Sequence, residues 1–180
     1  MQLPTDRTVF QNAWVVDDID AAIKQWSSEL KVGPFFVAEY TADILKDITY
    51  RGQPSELSMI VAMAQAGPVQ IELIQPTTDK PCAYRDTVKS GATGFHHMCV
   101  WTHDMDADIE YFDKLGYPMA NLGRANTSRF GYFDTTPLMG CMLEVVEYSE
   151  ATESLFKRIA EMGTHWDGSS RPRREMAELF

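Results

Sequence analysis

Two stretches decide the fold: FQNAWVVDDIDAAIKQW (10–26) and, 86 positions further on, HHMCVWTHDMDADIEYF (96–112). The offset lays Gln11 on His97, Asp18 on Asp104, Asp20 on Asp106, Ala21 on Ala107, Ile23 on Ile109 and Trp26 on Phe112. A second pair, VQIELIQP (69–76) and CMLEVVEY (141–148), lays Glu72 on Glu144. The chain therefore reads as an internal duplication, and each copy holds two polar residues inside short apolar runs.

Local signals give each copy the same order of elements. In the first, a strand at about 8–16 leads to a helix at about 18–31, opened by Asp17 or Asp18, where a carboxylate meets the free N–H groups and the helix dipole. Ile19, Ile23, Trp26 and Leu30 recur at helical spacing, and Gly33-Pro34 ends the run. PFFVAEY (34–40), SELSMIVAMAQ (55–65) and PVQIELIQP (68–76) read as strands, the last two joined at Ala66-Gly67. In the second copy a strand at 94–102 precedes a helix from Asp104 to Leu115. Strands follow near 117–122, 128–135 and 139–148. The expected organisation is a first βαβββ module over 1–76, a linker over 77–93 with a short helix near Cys82–Lys89, and a second βαβββ module over 94–150. A C-terminal helix and tail follow over 151–180, the tail either loose or wrapped on a partner subunit. The first copy is longer by an irregular segment at 42–56, a place for a substrate lid.

Alternation sets which side chains share a face. Gln11 goes with Ala13 and Val15, Glu72 with Gln70 and Ile74, His97 with Cys99 and Trp101, and Glu144 with Met142 and Val146. His96 falls on the opposite face, as a structural or interface residue. An unpaired carboxylate on a buried apolar face costs several kcal/mol, and two converging carboxylates repel. One divalent cation held by Gln11, Glu72, His97 and Glu144 removes both penalties. Oxygen and nitrogen donors without thiolate suit Zn²⁺, Ni²⁺, Co²⁺, Mn²⁺ or Mg²⁺ and disfavour a structural zinc cage.

Composition bounds the partners. The chain has 180 residues, 44% of them apolar, and a formal charge of −10. That charge argues against nucleic acid and anionic membrane surfaces. No apolar run reaches the length of a membrane span, and residues 1–9 lack the apolar core of a signal peptide. Cys82, Cys99 and Cys141 show no pairing pattern, so reduced thiols in a cytoplasmic setting are expected. Arg51 in Tyr50-Arg51-Gly52 and Arg85 in Ala83-Tyr84-Arg85 are candidates to hold an anionic group on a substrate. Tyr132 is a candidate for the pocket wall, with Met59, Met63, Trp101 and Met142 as further wall or core residues.

QNAWVVDDIDAAI, LKVGPFF, VQIELIQP, GFHHMCVWTHDMDADIEYFDKLGYP and GCMLEVVE together resemble the vicinal oxygen chelate superfamily over about 8–148. The superfamily includes glyoxalase I, methylmalonyl-CoA epimerase, extradiol dioxygenases and metal-free bleomycin-resistance proteins. The resemblance implies an α+β fold of two tandem βαβββ modules whose sheets curve around a metal site, and a homodimer. The ligand order Gln-Glu-His-Glu is similar to glyoxalase I, whereas the flanks LKVGPFF and VQIELIQP look closer to the epimerase branch. In both, the implied reaction is proton abstraction next to a metal-bound carbonyl, through an enediolate, by a lyase, isomerase or epimerase. Glu144 is the first candidate for the base and Glu72 the second. The substrate is a small molecule, a thioester or carboxylate being the expected type. A small-molecule binding protein of the same fold, with or without metal, is the alternative. An Fe(II) ring-cleaving dioxygenase is disfavoured because Gln11 stands where a histidine ligand would be.

Overall fold

The computed structural model describes residues 8–126 and 128–180, so most of the 1–9 stretch discussed above lies outside it. The first half runs β1 (Gln11–Val15), α1 (Ile19–Glu29), β2 (Phe35–Tyr40), β3 (Lys46–Tyr50), β4 (Gln53–Pro54), β5 (Met59–Ala66) and β6 (Val69–Pro76). A short helix α2 (Ala83–Thr87) leads to the second half. That half runs β7 (Gly94–Thr102), α3 (Met105–Lys114), β8 (Met119–Ala125), β9 (Ser128–Phe133), a single turn α4 (Thr136–Met139) and β10 (Met142–Glu147). The chain ends with α5 (Glu150–Thr164), β11 (Arg173–Glu175) and a 3-10 turn over Met176–Leu179.

The duplicated carboxylates do the same work twice. Asp18 accepts a hydrogen bond from the Ala21 N–H at 2.9 Å, and Asp104 accepts one from the Ala107 N–H at 3.0 Å. Each cap contributes about 1 kcal/mol to its helix start.

All strands join one curved, unclosed sheet in the order β11-β2-β5-β6-β1-β7-β10-β9-β8-β3-β4. β1 and β7 meet antiparallel at its centre, and each pairs in parallel with the last core strand of its own half, β6 or β10. This is the curved-sheet arrangement that the resemblance implies. Both faces of the central strands are apolar, which is why these strands read as continuous hydrophobic runs. On the convex face α1 covers Ile71, Leu73 and Ala62, and α3 covers Val100, Val145 and Phe133. On the concave face Ala13, Val15, Met59, Val61, Met63, Ile74, Phe130, Tyr132 and Met142 form a third cluster.

Two segments depart from expectation, both because their partners lie far away in sequence. The segment at 42–56 is not a free lid. It folds into the β3–β4 ribbon and adds to β8 of the other half, with Thr49 opposite Leu122 and Tyr50 opposite Asn121. Arg51 (φ 46°) and Gly52 (φ 78°) form its two-residue turn, the left-handed pair that a tight hairpin needs. Asn121 stitches the ribbon in place: its Nδ2 donates to the Thr49 carbonyl at 2.7 Å, and its Oδ1 accepts from the Ala83 N–H at 2.6 Å. The tail is not loose but folds back on its own chain. β11 pairs in parallel with β2, and Arg158 donates to the Leu179 carbonyl at 2.8 Å. α5 thereby lies across β5 on the concave side, with Ile159 fully buried.

Candidate metal centre

Regular pairing aims the duplicated polar residues at one point. Gln11 stands opposite Gln70 and Cys99, Ala13 opposite Glu72 and His97, and Glu144 opposite Cys99. The structure thus brings Gln11, Glu72, His97 and Glu144 to the concave face, each with 7% exposure or less. His97 Nε2 lies 3.0 Å from Glu144 Oε2 and 3.4 Å from Glu72 Oε2. Adjacent ligands around an ion bonded at about 2.1 Å stand about 3.0–3.4 Å apart, so this spacing matches a divalent coordination shell.

His97 Nε2 is also a buried nitrogen that no hydrogen bond satisfies, although both carboxylate oxygens lie within ion-pair distance of it. A buried polar atom without a partner is rare in a folded protein. Here it faces two carboxylates, which is the chemistry of a site that a cation completes. Gln11 adds an amide that lines the same cavity. Its Nε2 donates to Gln70 Oε1 at 2.7 Å, which leaves Oε1 as the atom a cation would use.

Charge is shared unequally among the three groups. Burial alone would lower the His97 pKa, but the Glu144 and Glu72 carboxylates more than offset that and raise it to about 9. Burial pushes Glu72 up, helped by the Glu144 charge. Glu144 is also buried, yet the His97 charge beside it draws its pKa below the usual carboxylate value. Without a metal, then, a proton on His97 occupies the place of the cation.

The neighbouring histidine corrects the alternation argument. The β1–β7 register shifts between Ala13 and Trp14, which face His97 and Phe95, so His96 is the extra residue of a β-bulge. The bulge turns His96 inward, fully buried, instead of out toward an interface. Its Nε2 meets the Ala83 carbonyl at 3.0 Å and its Nδ1 meets His97 Nδ1 at 2.8 Å. A carbonyl only accepts, so His96 carries its proton on Nε2 and offers Nδ1 as acceptor. His97 must then donate through Nδ1, leaving Nε2 as the nitrogen turned to the carboxylates. Such outer partners orient metal-binding imidazoles. Burial and the charge of His97 hold His96 neutral, with its pKa lowered to about 3.

The other candidates divide. Tyr132 lines the cavity, and its hydroxyl lies 2.9 Å from that of Tyr84. Burial and the nearby carboxylates raise both phenols well above their usual range, so they stay protonated. The structure does not bring Arg51 or Arg85 to the cavity wall. Arg51 is held by Asp86 at 2.8 Å and Asp134 at 3.0 Å, closing the ribbon onto the second half. Arg85 donates to the Lys89 carbonyl at 3.3 Å. Met59, Met63, Phe130, Val146, Leu155 and Phe156 supply most of the apolar wall of a cavity of about 110 Å³. Sequence reasoning passed over Gln70, Tyr84 and α5 as site elements. Gln70 shares the Glu72 face by alternation, and Tyr84 adjoins Arg85, so both carried a signal. Cys82, Cys99 and Cys141 are free and buried, and no helix among the described residues is long and apolar enough to cross a membrane.

Residues 10–132 match the Glyoxalase/Bleomycin resistance protein/Dioxygenase superfamily, and the chain belongs to it. The match includes Gln11, Glu72 and His97 and stops before Glu144. No curated protein sequence matches significantly. Among solved structures, methylmalonyl-CoA epimerase from Mycobacterium tuberculosis is similar, with TM-score 0.57 and 18% identity over 86% of this chain and 96% of that one. A hypothetical protein from Bacillus halodurans C-125 gives TM-score 0.54 at 16% identity, over 79% and 95%. A variant of Streptomyces coelicolor methylmalonyl-CoA epimerase in complex with 2-nitronate-propionyl-CoA gives 0.51 at 17%, over 78% and 96%. At these identities the likeness is one of fold.

Proposed function

We propose that the chain is a divalent-metal-dependent isomerase, epimerase or lyase that moves a proton on the carbon beside a carbonyl. The observation that carries this reading is His97 Nε2, buried and without a hydrogen-bond partner between Glu72 and Glu144. Gln11, Glu72, His97 and Glu144 would hold the ion. When bound, a Zn²⁺, Ni²⁺, Co²⁺, Mn²⁺ or Mg²⁺ ion supplies positive charge where negative charge develops on the carbonyl oxygen.

The side chains supply the rest. Glu144, whose ionised form is favoured in this setting, takes the proton from carbon onto a carboxylate oxygen. Glu72 reaches the centre from the other half of the chain, so a proton removed at one side can be returned at the other. That arrangement suits epimerisation or a 1,2-shift. The tyrosine pair Tyr84 and Tyr132 stays protonated and offers a hydroxyl to substrate oxygen. His96 keeps His97 in one tautomer. The similar epimerases include one solved with 2-nitronate-propionyl-CoA, which supports a substrate with an acidic C–H beside a carbonyl. A homodimer in the cytoplasm is proposed on the family resemblance and the reduced thiols.

The test is solvent exchange. Metal-loaded protein in D₂O should wash deuterium into the α-position of an accepted carbonyl compound, followed by proton NMR. Glu144→Gln should lose at least about a thousandfold of that rate while retaining one ion per chain. Undiminished exchange in Glu144→Gln would remove Glu144 from the role of base.

A further inference from the structure

The cavity is small, and size and charge together discriminate. An apolar cavity of about 150 Å³ holds a benzene ring, and pockets for larger ligands span about 300–1,000 Å³. The space above Glu72 and Glu144 is about 110 Å³. One side of it is closed by α5, through Thr152, Leu155 and Phe156. This helix is no loose flap. Its own Ile159 is fully buried, and its Gly163 sits where an added Cβ would come 3.1 Å from Gln65 Cβ. At its start, Ser128 Oγ lies 3.0 Å from Ser149 Oγ and 2.9 Å from Thr152 Oγ1.

Charge discriminates further. Among the described residues lining the cavity there is no lysine or arginine. Nearby guanidinium groups are engaged elsewhere: Arg51 with Asp86 and Asp134, Arg129 with Glu147 and Asp106, Arg124 with Asp47. A dication set against two carboxylates leaves no net positive charge. An anionic ligand would therefore be buried without a counter-charge, at a cost of several kcal/mol.

We infer that this site takes a small, uncharged, largely apolar ketone or aldehyde of about six to eight heavy atoms, and excludes acyl-CoA and small carboxylates. The inference rests on the carbonyl reading of the metal centre and narrows its substrate class. The wall residues then have a purpose: methionine and aromatic side chains desolvate the reacting carbon, and the two phenols are the polar contacts that orient one or two oxygens.

Acetoin and pyruvate make the test, because they have equal heavy-atom counts and differ by one negative charge. Each is titrated into Co²⁺-loaded protein, with the cobalt d–d absorption as readout, alongside propionyl-CoA. Acetoin should bind about tenfold or more tighter than pyruvate, and propionyl-CoA should leave the spectrum unchanged. The larger 2-hydroxyacetophenone should bind Phe156→Ala about tenfold more tightly than wild type. Phe156→Leu serves the same comparison if the alanine variant does not fold. Pyruvate or propionyl-CoA binding as tightly as acetoin overturns the inference. A protein that takes up no cobalt refutes the metal reading instead. Calorimetry of the same ligands on metal-free protein then decides selectivity, acetoin-first supporting the inference and pyruvate or propionyl-CoA first overturning it.

Discussion

Removing the metal and raising the pH from about 6.5 to 9 should weaken the fold, chiefly through His97. In the metal-free state His97 has its pKa raised from 6.5 to about 9 by the carboxylates it faces. The folded state thus holds a proton that the unfolded chain releases near 6.5. A raised folded-state pKa gives stability that is fully present below the unfolded value and is lost as pH climbs through the folded one. A shift of about 2.5 units at 1.36 kcal/mol each corresponds to about 3 kcal/mol, or a fall in Tm of about 6–12 °C for a chain of this size. His96 acts in the opposite sense. Its folded-state pKa of about 3 lies below the unfolded value, so its contribution is present above about 6.5 and is lost as pH falls toward 3. The two histidines therefore erode the stability of the metal-free protein on either side of pH 6.5, and the raised carboxyl of Glu72 adds to the loss as pH rises. Thermal melts followed by circular dichroism at half-unit steps from pH 5 to 9 measure both limbs. The buried thiols also favour the fold in their neutral form, so their loss overlaps the upper end of the range. His97→Gln isolates the histidine, because it should abolish most of the fall between 6.5 and 9 and leave the thiol contribution. Saturating metal should flatten the same limb, since an ion takes the place of the proton. A metal-free Tm that does not change from pH 6.5 to 9, or a fall in His97→Gln as large as in wild type, would refute the reasoning.

Other outcomes follow from the same geometry. His96→Ala removes the group that orients His97, so divalent-metal affinity should drop about 10- to 100-fold in competition with a chromophoric chelator, with the far-ultraviolet spectrum retained. Unchanged affinity would mean that His96 does not set the tautomer. Arg51→Ala breaks two partly exposed ion pairs and should cost about 1 kcal/mol in urea unfolding while leaving KM for an accepted substrate within about twofold. A KM rise of about tenfold or more would return Arg51 to the substrate.

How much was legible in the sequence depends on what each residue pairs with. Gln11, Glu72 and Glu144 lie on regular strands, and there the period of two told which face each side chain takes. Asp18 and Asp104 act within three residues of themselves, and local text sufficed for them. His96 was misplaced because a bulge breaks the period, and a bulge is a property of two strands in register, Ala13 and Trp14 opposite His97 and Phe95, not of one. The ribbon at 46–54 and the strand at 173–175 gain their order from β8 and β2, far away along the chain. Glycine made room for the first of these: a Cβ at Gly123 would collide with Ile48 of the ribbon. Nothing in the local pattern at either place announces its partner. The role of α5 escaped for the same reason. Its amphipathic pattern tells that one face is covered, but not that Leu155 and Phe156 are what close the cavity.

The account stands on one divalent ion held by residues of both halves. The most direct measurement is elemental analysis of purified protein after reconstitution with Zn²⁺, Ni²⁺, Co²⁺, Mn²⁺ and Mg²⁺ in turn, with His97→Ala treated alongside. About one ion per chain in the wild type for at least one of these metals, and less than about a tenth in His97→Ala, is the predicted result. Wild-type protein that takes up none of the five, or a His97→Ala variant that takes up as much as wild type, would contradict it.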